Sequence, residues 1–252
     1  MDKGFKLTCG EQFITKVVHC VNDAVGDSIR EDTYYLKTKN STPTRIWDIL
    51  NTKLCNEMPK ISCVADSTQR GSWQMVPVFS QEKRILFTFM RESRFEQLFK
   101  NLKKRKNPHY LDGLVNILNA KLLNNDQMTL YPIDLFDEDN MKDIVQKILF
   151  DLKVEREFID HHALILFESH NFELISIRAV VIDKNMKIVY EENWNQYITA
   201  DVSTIMQSAT EFSTASNHPE RGLKLSEKAN KRKQHNIKVR PSETDDEENL
   251  NN

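Results

Sequence analysis

The sequence predicts an α+β domain, with one or more antiparallel sheets, helices packed against them and a flexible charged C-terminal tail. Three observations point there. Apolar residues recur at steps of three and four in the first 56 residues and again between 93 and 153. They alternate singly over 72–90 and 163–193, around short polar turns. After about Ala200 neither period continues, and charged or hydroxyl residues take over. The domain is therefore placed at 5–205 and the tail at 206–252; any subdivision falls at 124–135.

The first helix is expected over 8–30. Thr8 and Glu11 have the spacing of a capping box, and Phe13, Ile14, Val17, Val18, Val21, Ala24, Val25 and Ile29 form one apolar face. That face serves a core or, alternatively, a seam between two copies of the chain. A second helix is expected over 43–56, with Thr42 as cap and Pro43 at the first helical position, where its missing N–H costs nothing. Its stripe is Ile46, Ile49, Leu50 and Leu54.

Strands follow at 60–65, 72–79 and 84–90. Trp73, Met75 and Phe79 alternate with Val76 and Val78, while Ile85, Phe87 and Phe89 alternate with Leu86 and Met90. Both faces are apolar, so helices should cover both. Pro77 cannot donate to a ladder and marks an edge or a bulge. Ser93 and Glu96 suggest a capping box for a helix that docks through Phe95, Leu98, Phe99 and Leu102. Another helix is expected over 109–123. Residues 124–135 look irregular, with a short strand at 128–131. A third helix of this group, over 138–153, places its acids at the positive N-terminus. A three-stranded antiparallel meander over 163–193 completes the domain. It turns near His170-Asn171 and again at 183–185.

Composition excludes several function classes. The formal charge of −2 gives no whole-molecule attraction to nucleic acid or anionic membranes, so any such preference is local. The N-terminus lacks the apolar segment of a signal peptide, and no run is long enough for a membrane span. Cys9, Cys20, Cys55 and Cys63 form no CxxC pair and read as reduced thiols in a cytoplasmic protein. The six glycines draw no GxGxxG, GxxxxGK[ST] or GxSxG motif, and HExxH is absent. No cofactor is expected.

Two metal-dependent chemistries form the alternative reading. Asp160, His161 and His162 match the triplet of the DHH phosphoesterases, in which such residues help to hold manganese. The paired-aspartate loop and glycine-rich histidine segment of that family have no counterpart here. Glu168, Glu173 and Asp183, with Lys184 or Lys187, offer the acids and lysine of a PD-(D/E)xK nuclease, but no such triplet lies within one strand. The bland account is polar residues at strand ends.

The stronger signal is basic. Arg91, Arg94, Lys100, Lys103, Lys104, Arg105 and Lys106 fall within twenty residues, against Glu92 and Glu96. With Arg70 they form the candidate contact set for nucleic acid or another partner. Arg70, Arg91 and Arg94 sit at strand termini, where a guanidinium reaches solvent. The structural alternative is a solvated helix face, or a complement to the acids of 134–160. The segments 70–79, 87–95 and 164–182 resemble an uncharacterised domain family of low-GC Gram-positive bacteria and their phages, over about residues 10–200. The resemblance implies no activity or cofactor; it suggests a mobile-element or host-defence setting. The sequence thus reads as a non-enzymatic, regulatory interaction protein, with a protein partner, nucleic acid as a second candidate partner, no membrane, and a homodimer as an open alternative.

Overall fold

The computed structural model describes residues 7, 9–70, 73–122 and 136–198, all within the unit Met1–Ala200. The tail and the 124–135 segment lie outside the described residues.

Helix α1 (Glu11–Val25) buries Phe13, Ile14, Val17, Val18, Val21, Ala24 and Val25, as the three-four spacing requires. The single helix expected over 8–30 is interrupted at Gly26. There the backbone turns to φ −99°, ψ −112°, and a β-carbon would stand 2.8 Å from the Asn22 carbonyl oxygen. Helix α2 (Asp27–Thr33) resumes beyond it and buries Ile29. Thr8 lies outside the described residues; Gly10 is the N-cap and offers no side-chain bond. Helix α3 (Thr42–Glu57) starts one residue early, with Ser41 rather than Thr42 at the N-cap. Pro43 holds the first turn, and Ile46, Leu50 and Leu54 are buried.

The main sheet has six strands: β1 (Cys63–Ala65), β4 (Val78–Ser80), β5 (Ile85–Arg91), β6 (His161–His170), β7 (Glu173–Ile182) and β8 (Ile188–Asn193), in the order β1-β4-β5-β6-β7-β8. All its pairings are antiparallel except β5 with β6, which is parallel from Ile85↔His161 to Arg91↔Phe167. The expected strand over 72–79 is broken. β2 (Thr68–Arg70) and β3 (Trp73–Met75) form a separate antiparallel ribbon. Val76 and Pro77 divide β3 from β4, as a residue without a backbone donor at a ladder junction would. The parallel pair requires a long crossover. Residues 92–160 supply it, carrying α4 (Glu92–Lys100), α5 (Tyr110–Leu118) and α6 (Glu138–Leu152).

Single alternation sorts the sheet into two cores. Ile85, Phe87, Phe89, Ala163, Ile165, Phe167, Ile177, Ala179 and Val181 face α1–α3. Leu86, Met90, Leu164, Leu166, Val180 and Ile182 face α4–α6. The central strand β6 is apolar on both faces because helices cover both.

The second helix layer corrects three expectations. Ser93 caps nothing: β5 runs into α4 without a loop, so extended Arg91 (φ −71°, ψ 142°) is the N-cap and Ser93 lies within the first turn. Phe95 and Leu98 dock α4, while Phe99, one step further round, is 51% exposed. α5 stops at Asn119 instead of reaching 123. The Asn119 amide donates to the carbonyls of His162 and Ile182, each at 2.9 Å, and accepts from the His162 N–H at 2.8 Å. That side chain thus ties the helix end to the sheet. The meander forms as expected, beginning at His161 and turning through Asn171 and Phe172, both at positive φ.

Candidate functional site

At the C-terminal end of β5, the space between the two helix layers opens into a groove of about 510 Å³. Trp47 of α3 lines one side, with His109 and Tyr110 at the start of α5 on the other. The β2–β3 ribbon lies across it with Arg70, Trp73 and Met75, and Phe89, Met90 and Arg91 of β5 and Arg94 of α4 complete the lining. The volume suits a small ligand or one unit of a polymer.

Local structure explains each cation. Arg91 is both the last residue of β5 and the N-cap of α4, so its charge adds to the positive end of that helix. Arg94 follows one turn on; it is exposed and bonded only to the neighbouring Gln97 among the described residues. Arg70 ends β2, and its guanidinium lies 4.1 Å from the centre of the Tyr110 ring. Burial lowers the pKa of both Arg70 and Arg91 from the usual guanidinium value. The Nη2 atom of Arg91 is buried with no hydrogen-bond partner among the described residues. Among the described residues no acid lines the groove. The nearby acids are engaged elsewhere: Glu92 binds Arg178 through both carboxylate oxygens, and Asp112 binds Arg105 likewise.

His109 and Tyr110 hold the floor. The His109 Nδ1 accepts the Leu111 N–H at 3.3 Å, and Asp112 closes the capping box by accepting the His109 N–H at 2.6 Å. With Nδ1 an acceptor, the proton sits on Nε2. Burial, reinforced by Arg70, Arg94 and Arg105, pushes the His109 pKa down to about 3, so the ring is neutral at physiological pH. Burial likewise pushes the Tyr110 phenol up to about 12. Trp47 and Trp73 meet edge to face at 6.4 Å, and Trp73 is 43% exposed.

The other expected contact residues divide. Lys100 is exposed and paired with Glu96 at 3.4 Å. Lys103 lies in the short turn Leu102–Lys104, with Lys104 and Lys106 exposed beside it. Arg105 is committed to Asp112. Among the described residues no ion pair links 91–106 to the acids of 134–160. Trp47, His109 and Tyr110 were missed by sequence reasoning. Only the His109–Asp112 spacing carried a local signal, and histidine is an unusual residue for that cap.

The alternative metal residues are not brought together. Asp160 is exposed and paired with Arg84, which holds its carboxyl below the usual carboxylate range. His161 and His162 are successive strand residues and point to opposite faces. His162 is buried against the Thr88 hydroxyl at 2.9 Å, with its pKa pushed down to about 3 by burial. Glu168 and Glu173 are exposed near the far end of the β6–β7 hairpin. Among the described residues no three His, Cys, Asp or Glu side chains form a group able to hold a metal ion. The cysteines are free, and burial raises Cys9 to about 12 and Cys20 and Cys63 to about 11. No helix among the described residues is long and apolar enough to cross a membrane.

No curated protein and no solved structure matches the chain. A family model does, over residues 6–241. By that match the chain belongs to DUF5986, a family of unknown function.

Proposed function

We propose that this chain is a non-enzymatic binding protein that takes single-stranded nucleic acid into the arginine groove. One observation carries the reading: three guanidinium groups with no carboxylate partner among the described residues share a groove with flat aromatic faces. Phosphates would neutralise the arginines, and an unpaired base has a face free to lie on Trp47 or Trp73. A duplex keeps its base faces inside the stack, so the aromatic lining favours single strands. Exposed Lys100, Lys104 and Lys106 extend the positive surface along the chain between Arg94 and His109. Such a protein acts by holding its target, which fits the regulatory role read from the sequence.

The test is fluorescence anisotropy with labelled single-stranded DNA and RNA at about 50 and about 200 mM salt, where phosphate-driven binding differs by orders of magnitude. Binding that weakens with salt, and weakens again in Arg91→Lys and Arg94→Ala, supports the reading. Absence of binding at the lower salt, or binding indifferent to both substitutions, overturns it.

A further inference from the structure

The proposed function explains why an anion enters the groove, but a phosphodiester strand does not account for the amount or the place of the positive charge. A diester carries one negative charge per nucleotide and lies along a surface, held by substituents on both sides. Here Arg70, Arg91 and Arg94 converge on one cavity of about 510 Å³, and among the described residues no acidic side chain lines it. Two of the three are partly withdrawn from water, where an uncompensated charge is costly. Arg91 also stands at the first turn of a nine-residue helix, α4, with no side-chain cap occupying that end. Guanidinium groups and a helix N-terminus together suit an anion with several free oxygens. The cavity is bounded by the β2–β3 ribbon, α3 and α5, and Trp47 and Trp73 share its lining with the arginines, Trp73 as the cross-strand partner of Arg70.

We infer that the groove is built for the phosphomonoester of a nucleotide, the phosphorylated end of a strand, rather than for an internal phosphodiester. This rests on the proposed nucleic-acid reading and makes it specific. A terminal phosphate bears close to two negative charges at neutral pH and three oxygens that no second ester link obstructs. It can reach past the rim to Arg91 while its base stays on the tryptophans. An interior phosphate must carry the chain out of the groove on both sides and cannot approach as deeply.

The experiment compares one short oligonucleotide in three forms, with a 5′-phosphate, a 3′-phosphate or two free hydroxyl ends, beside adenosine monophosphate, inorganic phosphate and a phosphotyrosine peptide. The full chain is titrated with each. A phosphate at one end is expected to tighten binding about tenfold or more over the hydroxyl form, as a well-made charge-assisted contact does. Arg94→Ala and Arg91→Lys should each erase most of that preference, and Trp73→Ala should weaken all nucleotide forms about tenfold. Arg94 and Trp73 are exposed, so those variants should fold, and a melting curve checks it. Equal affinity for phosphorylated and hydroxyl strands would overturn the end-recognition inference while leaving single-strand binding intact. No strand binding at all would sink both. Tight binding of adenosine monophosphate together with the phosphorylated strand supports the phosphomonoester assignment, whereas binding of the mononucleotide alone would overturn the strand-end reading. Preference for the phosphotyrosine peptide, or for inorganic phosphate over every nucleotide, would overturn it.

Discussion

The two ends of β5 treat the same residue type in opposite ways. At the start, Arg84 donates to both carboxylate oxygens of Asp160, at 2.9 and 3.0 Å, and to the Glu157 carbonyl at 2.6 Å. The Asp160 N–H bonds back to the Arg84 carbonyl at 2.8 Å. At the finish, Arg91 has no carboxylate partner among the described residues, and one of its nitrogens is buried without an acceptor. Arg178, two strands away, repeats the first pattern, paired with both Glu92 and Glu191. An arginine that organises the fold brings its own anion. Three arginines that meet in a groove with no acid among its described lining residues are, on the proposed reading, arranged for an anion from outside. The Asp160-His161-His162 corner, with its suggestive triplet, belongs to the first kind.

The sharpest way to break this contrast is to strip an internal pair. Asp112 is buried, holds Arg105 and accepts the His109 N–H. Asp112→Ala should cost about 3–5 kcal/mol, because it leaves a guanidinium and a helix N-cap unmatched in the interior. Urea denaturation measures it, and a loss below about 1 kcal/mol would place Arg105 with the groove arginines after all.

Acid acts cumulatively, by an amount that grows as the pH falls. His109 and His162 are both held near pKa 3, against an ordinary value of 6.5. The unfolded chain therefore takes up protons below about pH 6.5 while the native state does not. Stability is fully present above that pH and declines from there towards pH 3, by about 1.4 kcal/mol per pH unit for each histidine. His162→Gln should flatten the decline by one such increment, and an unchanged slope would show that His162 is not held neutral. Third, Arg94→Ala should leave the fold intact but remove about one phosphate contact, visible as a shallower dependence of log affinity on log salt, whereas Arg91→Lys keeps its charge and should lower affinity with the slope unchanged. Smallest is Arg84→Ala. Its pair with Asp160 is roughly half exposed, so the loss of stability should be small beside that of Asp112→Ala, with nucleic-acid affinity unchanged. A drop in affinity there would erase the distinction between the two ends of β5.

Much of the architecture was legible in the sequence, for local reasons. Alternation sorted Ile85, Phe87 and Phe89 from Leu86 and Met90, and the structure sends those two sets to different cores. The α6 acids and the β6–β8 meander likewise follow from period and turn chemistry. Failures came at junctions. Ser93 had the spacing of a cap, but β5 passes directly into α4 and moves the cap to Arg91. Gly26 lay in an unbroken apolar pattern, yet its backbone leaves the helical range at ψ −112° and ends α1 there. The Val76-Pro77 break, and the ribbon it frees, carried only the proline as a sign.

The sequence alone determined the α+β composition, the faces that must be buried and the presence of Arg70 and Arg91 at strand ends, because side-chain period and charge are properties of adjacent residues; Arg94, expected at a strand terminus, lies inside α4. Tertiary structure decided that β5 would lie parallel to β6, that β2 and β3 would fold across the end of β5, and that Trp47 and His109 would meet those arginines. Strand partnership and groove formation depend on which apolar faces cover one another across a hundred residues of chain, and no local period records that choice.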